Sequence, residues 1–246
     1  MAASLCIDWG NTLVKAGIFI NDRLTEVRTF NEDEAMSSLA TIIDYHRPTH
    51  CILCSVVFNP KGIEDLLCDK IPGYVKLDGK TALPIFNAYS TDTLGNDRIP
   101  LAVAANSLYP GKNNLIISAG TCITYNFIQK TGIFRGGAIS PGIRMRLKAM
   151  HAFTDMLPEV EREGELILLG YDTATGMRSG AVHGAAAEID GMISDFSSQY
   201  SDFNAVLTGG DAPYLGGKVK SKIFADPELL LKGLNLILKH NVPDLR

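Results

Sequence analysis

Two glycine–threonine turns, each set between strand-like runs, constrain this chain more than any other feature of its sequence. The first, Asp8-Trp9-Gly10-Asn11-Thr12, follows Leu5-Cys6-Ile7 and precedes Leu13-Val14 and Ala16-Gly17-Ile18-Phe19-Ile20. The second, Ser118-Ala119-Gly120-Thr121, follows Leu115-Ile116-Ile117 and precedes Cys122-Ile123-Thr124-Tyr125-Asn126-Phe127. They lie 110 residues apart (118 − 8) in a chain of 246. A strand–turn–strand unit that recurs once predicts two related lobes, each offering one tight turn to something held between them.

Such turns suit phosphate. Glycine lets the backbone approach an anion closely, and successive turn N–H groups form an anion-binding nest. A threonine hydroxyl adds a donor, and a carboxylate such as Asp8 can hold Mg²⁺ directly or through water. Lys15, seven residues after Asp8, supplies a point charge within reach of a phosphate. The plainer alternative is an ordinary hairpin, because Gly-Asn is good turn chemistry without any ligand. Recurrence of the turn, the first copy carrying an aspartate, favours the ligand-binding reading. Lys15 by itself is equally consistent with a solvated strand face.

Composition narrows the class. Apolar residues make up 46% and charged residues 20% of the chain, which describes a globular protein. A formal net charge of −4 gives no reason to expect a nucleic-acid or anionic-membrane partner. No apolar run approaches the roughly 20 residues of a membrane span, and no basic segment precedes Leu5, so a cytoplasmic location is expected. Five cysteines, several inside apolar runs, argue against a disulfide framework. Cys51 and Cys54 have CxxC spacing, but no second pair completes a zinc site, and buried thiols are expected. The five histidines form no ligand-spaced cluster.

Along the chain, residues 4–30 read as two or three strands turning at Asn21-Asp22. Residues 32–46 read as a helix on the spacing of Met36, Leu39, Ile42 and Ile43. A buried strand is expected over 50–58, a short helix over 61–69, irregular chain over 70–92 and a helix from Asp97 to Leu108. Strands then run over 114–128 and 132–139, with helices from about Pro141-Gly142, from Thr173 and from Pro227 to Lys239, and a strand at Ala205–Thr208. The helix after Thr173 carries Gly180, Gly184, Ala187 and Gly191, consistent with tight packing inside the monomer or with a subunit interface. Strands then helices, twice over, predict an α/β protein of two lobes, 1–112 and 113–246, with the last helix packing back on the first lobe. No GxxxxGK[ST] occurs, and no GxGxxG follows a strand, so neither a P-loop nor a dinucleotide fold is supported.

An ordered set of motifs then becomes specific: Asp8-x-Gly10-Asn11-Thr12-x-x-Lys15, Gly95-Asn96-Asp97-Arg98, Gly120-Thr121, Gly136-Gly137-Ala138-Ile139-Ser140-Pro141-Gly142, Thr173 and Thr208-Gly209-Gly210. Nearly the whole chain resembles the type III pantothenate kinases of the acetate and sugar kinase/actin superfamily. The resemblance implies two related lobes of ribonuclease-H-like, actin-like ATPase fold with an interlobe ATP cleft. It implies that Asp8, Gly10, Asn11, Thr12 and Lys15 hold the ATP phosphates, with Asp8 at Mg²⁺. Thr121 would contact phosphate, and Gly209 and Gly210 would lie near the adenosine. Gly95, Asn96, Asp97 and Arg98 would surround pantothenate, with Asp97 as general base and with Tyr89 and Thr173 at substrate-contact positions. The family works as homodimers with pantothenate near the subunit interface. At the position of Ser118 it usually carries an aspartate that binds a monovalent cation such as K⁺ or NH₄⁺, so cation use is expected to differ here.

Residue chemistry agrees with that expectation. Phosphoryl transfer needs positioning and charge neutralisation more than covalent help. A carboxylate such as Asp97 can accept the hydroxyl proton, and Arg98 can form a two-pronged pair with a substrate carboxylate. Asp97-Arg98 also reads as an N-cap and first-turn arginine. Two competing functions stay open on sequence alone: a non-catalytic nucleotide-binding regulator of the same fold, and a kinase for another small alcohol.

Overall fold

The computed structural model describes residues 3–57, 62–91 and 93–242. The chain divides into two compact units, one of residues 1–108, 132–134 and 228–246, the other of 109–131 and 135–227.

In the first unit, β1 (Ala3–Trp9), β2 (Val14–Ile20) and β3 (Arg23–Phe30) form an antiparallel meander. Its second turn places Asn21 and Asp22 at φ 50° and 65°, where these two residue types are tolerated best among non-glycines. Helix α1 (Glu32–His46) follows, its start marked by Glu34 reaching back to the Asn31 N–H (3.5 Å). β4 (His50–Ser55) then pairs parallel with β1, α2 (Ile63–Lys70) crosses over, and β5 (Gly73–Lys76) pairs parallel with β4. The sheet order is β3-β2-β1-β4-β5. Strand alternation sends Leu5, Ile7 and Trp9 of β1 to one face, where they pack with Leu39, Ile43, Leu53 and Leu67. Each such side chain contributes about 1.5–3 kcal/mol by leaving water. The remaining elements are β6 (Phe86–Asn87), α3 (Arg98–Leu108) and, from the chain's far end, α7 (Leu229–Asn241), which packs along α3 and on β1.

The second unit repeats the plan. β7 (Asn113–Ala119), β8 (Cys122–Ile128) and β9 (Ile133–Pro141) come first, then α4 (Ile143–Ala152), the 27-residue α5 (Thr173–Gln199), β10 (Phe203–Thr208), α6 (Ala212–Gly216) and β11 (Phe224–Ala225). Five of the six strands of its sheet, in the order β9-β8-β7-β10-β11, match the first sheet position for position, with β6 as a sixth strand at the β9 edge; β7–β8 is antiparallel and β7–β10 parallel. Phe86–Asn87 pairs with Ile133–Phe134, both grouped with the first unit. Leu115, Ile117, Ile123, Tyr125 and Phe127 pack against Ile143, Leu147, Ala181, Val182, Ala185 and Ile189.

Several elements differ from the sequence expectation. The strand expected over 50–58 ends at Ser55, with Phe58, Asn59, Pro60 and Lys61 outside the described residues. The stretch 70–92, expected to be irregular, contains β5 and β6: the short Gly-Tyr-Val-Lys segment has weak patterning of its own, and pairing with β4 supplies its hydrogen bonds. Helix α6 and strand β11 were also absent from the pattern reading. Among the described residues no helix is long and apolar enough to cross a membrane.

Candidate active site

The first unit gathers Asp8, Gly10, Asn11, Thr12 and Lys15 around one turn. Asp8 sits near the end of β1, directly opposite Lys15 of β2 in the antiparallel register. Between them the turn closes with Gly10 N–H donating to Leu13 carbonyl oxygen (3.1 Å), leaving Asn11, Thr12 and Leu13 exposed. Thr12 and Lys15 both have further partners.

The same unit brings Asp97 near Asp8. Burial pushes the Asp8 carboxyl up to about 7; the negative charge of Asp97 pushes it the same way, and Lys15 opposes both. Asp97 is itself held above the ordinary carboxylate range by burial, offset in part by hydrogen bonds from its own N–H and that of Arg98 and by the Arg98 charge. The charges of both aspartates also help burial raise the thiol of Cys54, which lies beside Asp8 in the parallel register. Asp8, a partly buried carboxylate opposite Lys15, is an oxygen donor of the kind that suits a hard divalent cation.

Asp97 immediately precedes α3, and Arg98 is its first residue, closed by an Arg98 N–H donation to Gly95 carbonyl oxygen (3.1 Å). Arg98 is only 3% exposed, and its guanidinium lies 5.8 Å from the centre of the Tyr89 ring. Tyr89 N–H donates to Asn87 Oδ1 (3.0 Å), which fixes the loop that presents the ring. Gly95, Asp97, Arg98 and Tyr89 therefore lie close together at the start of α3, with Asn96 between Gly95 and Asp97 in the chain.

In the second unit the turn at 119–122 is braced from two sides. Gly209 adopts φ 94°, and a Cβ there would lie 2.3 Å from the Ala119 carbonyl oxygen. Asp211 N–H donates to that same oxygen (2.9 Å), and Gly142 N–H donates to Thr121 carbonyl oxygen (3.1 Å). Thr121, Gly209 and Gly210 thus share one location. Ser118 lies opposite Thr124 on β8 and Thr208 on β10, so the neighbouring side chains offer hydroxyl oxygens. Thr173 stands at the exposed N-terminus of α5, whose N-cap Asp172 accepts from Thr175 N–H (2.8 Å).

One cluster had no sequence signal. Asp211, buried directly after Gly209-Gly210, pairs with Arg162, a partner 49 residues away. Arg162 also covers the Tyr214 ring at 5.2 Å, and Lys218 approaches that ring at 4.4 Å. Arginine, aspartate and tyrosine scattered over such a distance leave no motif.

The family model described as type III pantothenate kinase matches residues 4–195. A Bacteroides fragilis protein named type III pantothenate kinase is 42% identical over 241 residues, covering 97% of this chain and 98% of its own. Among solved structures, a Campylobacter jejuni protein assigned to a Baf family of transcriptional activators superposes with a TM-score of 0.61 at 20% identity, covering 98% of this chain and 99% of that one. The activator of a Clostridium difficile 2-hydroxyisocaproyl-CoA dehydratase, solved with bound ADPNP, gives 0.54 at 11% identity, covering 99% and 95%. These two likenesses concern the fold alone, which is that of the actin-like ATPases.

Proposed function

Because the chain belongs to the type III pantothenate kinase family, we propose that it transfers the γ-phosphoryl group of ATP to pantothenate, giving 4′-phosphopantothenate, the first step toward coenzyme A. The observation that carries this reading is the meeting of Asp8, from the first strand, with Asp97 and buried Arg98, from a helix start far along the chain.

Each residue's role follows from its chemistry. The turn from Asp8 to Lys15 holds the phosphates, and Asp8 provides the oxygen that Mg²⁺ needs. Mg²⁺, when bound, would neutralise developing charge on the phosphate oxygens. Asp97 orients the pantothenate hydroxyl for in-line attack and takes its proton as the O–P bond forms. A carboxyl already held above its ordinary range is suited to receive that proton. Arg98 pairs with the pantothenate carboxylate, its guanidinium oriented by Tyr89. Gly95 and Asn96 shape the same pocket wall, Thr121 contacts phosphate, Gly209 and Gly210 leave room near the adenosine, and Thr173 contacts the acceptor.

Ser118 supplies an uncharged oxygen, and its cross-strand neighbours Thr124 and Thr208 add only hydroxyls. We infer that K⁺ or NH₄⁺ binds there weakly and activates little. Activity measured against KCl should change little in the native protein and become K⁺-dependent in Ser118→Asp; identical curves would refute this.

Homodimerisation through α5 is part of the same reading. Thr173, Gly176, Gly180, Gly184, Ala187 and Gly191 lie exposed along one helical face, and nothing occupies the space beside Gly176, Gly180 or Gly191. Just before the helix, Phe153, Met156, Leu168, Leu169 and Tyr171 are exposed. Uncovered apolar side chains beside a smooth helical face suit a second copy.

A coupled ADP-release assay with and without pantothenate tests the activity. Pantothenate-dependent ADP is expected; ATP binding by calorimetry with no turnover would make the chain a non-catalytic nucleotide binder instead.

A further inference from the structure

Glycine within a helix is destabilising relative to alanine, so Gly233, in the interior of α7, calls for a physical reason. It is backbone crowding. A Cβ at Gly233 would lie 1.8 Å from the Pro100 carbonyl oxygen, 2.4 Å from its carbonyl carbon and 2.8 Å from its Cα. No rotamer change relieves an overlap with main chain. Pro100 belongs to the first turn of α3, two residues after Arg98 and three after Asp97.

The other contacts of α7 lead to the strand that carries Asp8. Two residues before Gly233, the Leu231 side chain lies over Gly17 of β2, where a Cβ would come within 2.9 Å of its Cδ1. Two residues after it, Asn235 Oδ1 accepts a buried hydrogen bond from Ser4 Oγ of β1 (3.1 Å). Ser4, Cys6 and Asp8 alternate onto one face of β1, the face that α7 covers. One short stretch of helix is thus anchored on the strand bearing Asp8 and, with no side chain intervening, on the helix that begins beside Asp97.

We propose that α7 is the spacer that sets the separation between Asp8 and the Asp97–Arg98 pair, with Gly233 as its positioning residue. Gly233 touches no substrate; it acts through the Pro100 backbone. The proposal rests on the kinase reading, because only a reacting alcohol held between the phosphate turn and Asp97 makes that separation matter. A misplacement of about 1 Å is enough to cost on the order of a hundredfold in rate.

The test uses the full-length protein, varying ATP and pantothenate separately in the ADP-release assay. Gly233→Ala should lower kcat/KM for pantothenate by about tenfold or more, while the calorimetric Kd for ATP stays within about threefold of the native value. Ile189→Val serves as the comparison, since Ile189 lies in the core of the second unit and its change loosens the protein without touching α7 or α3. It should lower Tm and leave kcat/KM for pantothenate in place. Unchanged kcat/KM in Gly233→Ala, or an equal loss per degree of Tm in Ile189→Val, would overturn the proposal. If Gly233→Ala does not fold, Asn235→Ala carries the test, because it frees α7 from Ser4 without adding volume. Its KM for pantothenate should rise about threefold or more at unchanged ATP affinity, and an unaltered KM overturns the proposal. A native protein that releases no pantothenate-dependent ADP would defeat the kinase reading and this one with it. An active native protein with indifferent variants would defeat this one alone.

Discussion

Asp8 holds a carboxyl that the folded chain makes expensive to ionise. Burial and the charge of Asp97 move it to about 7 from an ordinary value of 3.8. Between these values the folded state keeps a proton that the unfolded state has released, so stability falls as pH rises through that window and then levels off. The ceiling on this loss is about 4 kcal/mol. Asp8→Asn removes the titration. In thermal unfolding without Mg²⁺ or nucleotide, it should match the native protein near pH 4 and exceed it in Tm at pH 8. Parallel Tm curves for the two would contradict the assignment of the buried proton to Asp8. Asp97 makes a different prediction: Asp97→Ala should lower kcat by about 10²–10⁴ while ATP affinity persists, measured by turnover and calorimetry together. The residue types at both positions were legible in the sequence, because glycine–threonine turns and Gly-x-Asp-Arg are local signals. Their proximity was not, because no local pattern encodes a contact between the end of β1 and the start of α3.

Among the elements, α5 shows how one helix serves two surfaces. Its inner face supplies Ala181, Val182, Ala185 and Ile189 to the core, and its polar Glu188 joins three neighbours. Tyr125 Oη (2.7 Å) and Ser140 Oγ (2.6 Å) donate to Glu188 Oε1, and Arg146 pairs with Oε2. Burial opposes the charge, but these hydrogen bonds and the Arg146 guanidinium outweigh it and hold the Glu188 carboxyl below its ordinary range. A lowered value means stability that is present above the unfolded pKa and is lost as pH falls through the folded one. Glu188→Ala should destabilise the protein by about 2 kcal/mol at pH 7, less at acid pH, as denaturant unfolding would read. A deficit that stays constant down to acid pH would contradict the role given to the ionised carboxylate. The small-residue stripe of α5 was visible at helical spacing. Strand β5 was not, since four residues with a leading glycine take their order from β4 rather than from their own pattern.

For the whole molecule, five strands of the six-stranded sheet repeat the strand order of the five-stranded one, so the recurrence first seen as two turns extends to the α/β plan. The homodimer proposed above makes the exposed face of α5 its interface. Gly180→Leu combined with Gly184→Leu should weaken self-association at least about tenfold by sedimentation equilibrium, a bulky pair being enough to spoil a close helix approach. A native protein that sediments as a monomer at micromolar concentration would count against the dimer. Sequence alone determined the fold class, the two glycine–threonine turns and the motif set, because each depends on residues close along the chain whose spacing is itself the signal. Tertiary structure decided the raised carboxyl of Asp8, the Arg162–Asp211 pair behind the Gly209-Gly210 turn, and the close approach of Gly233 to Pro100. Each of these is a property of distances between segments remote in sequence, and such distances are fixed only when the core packs.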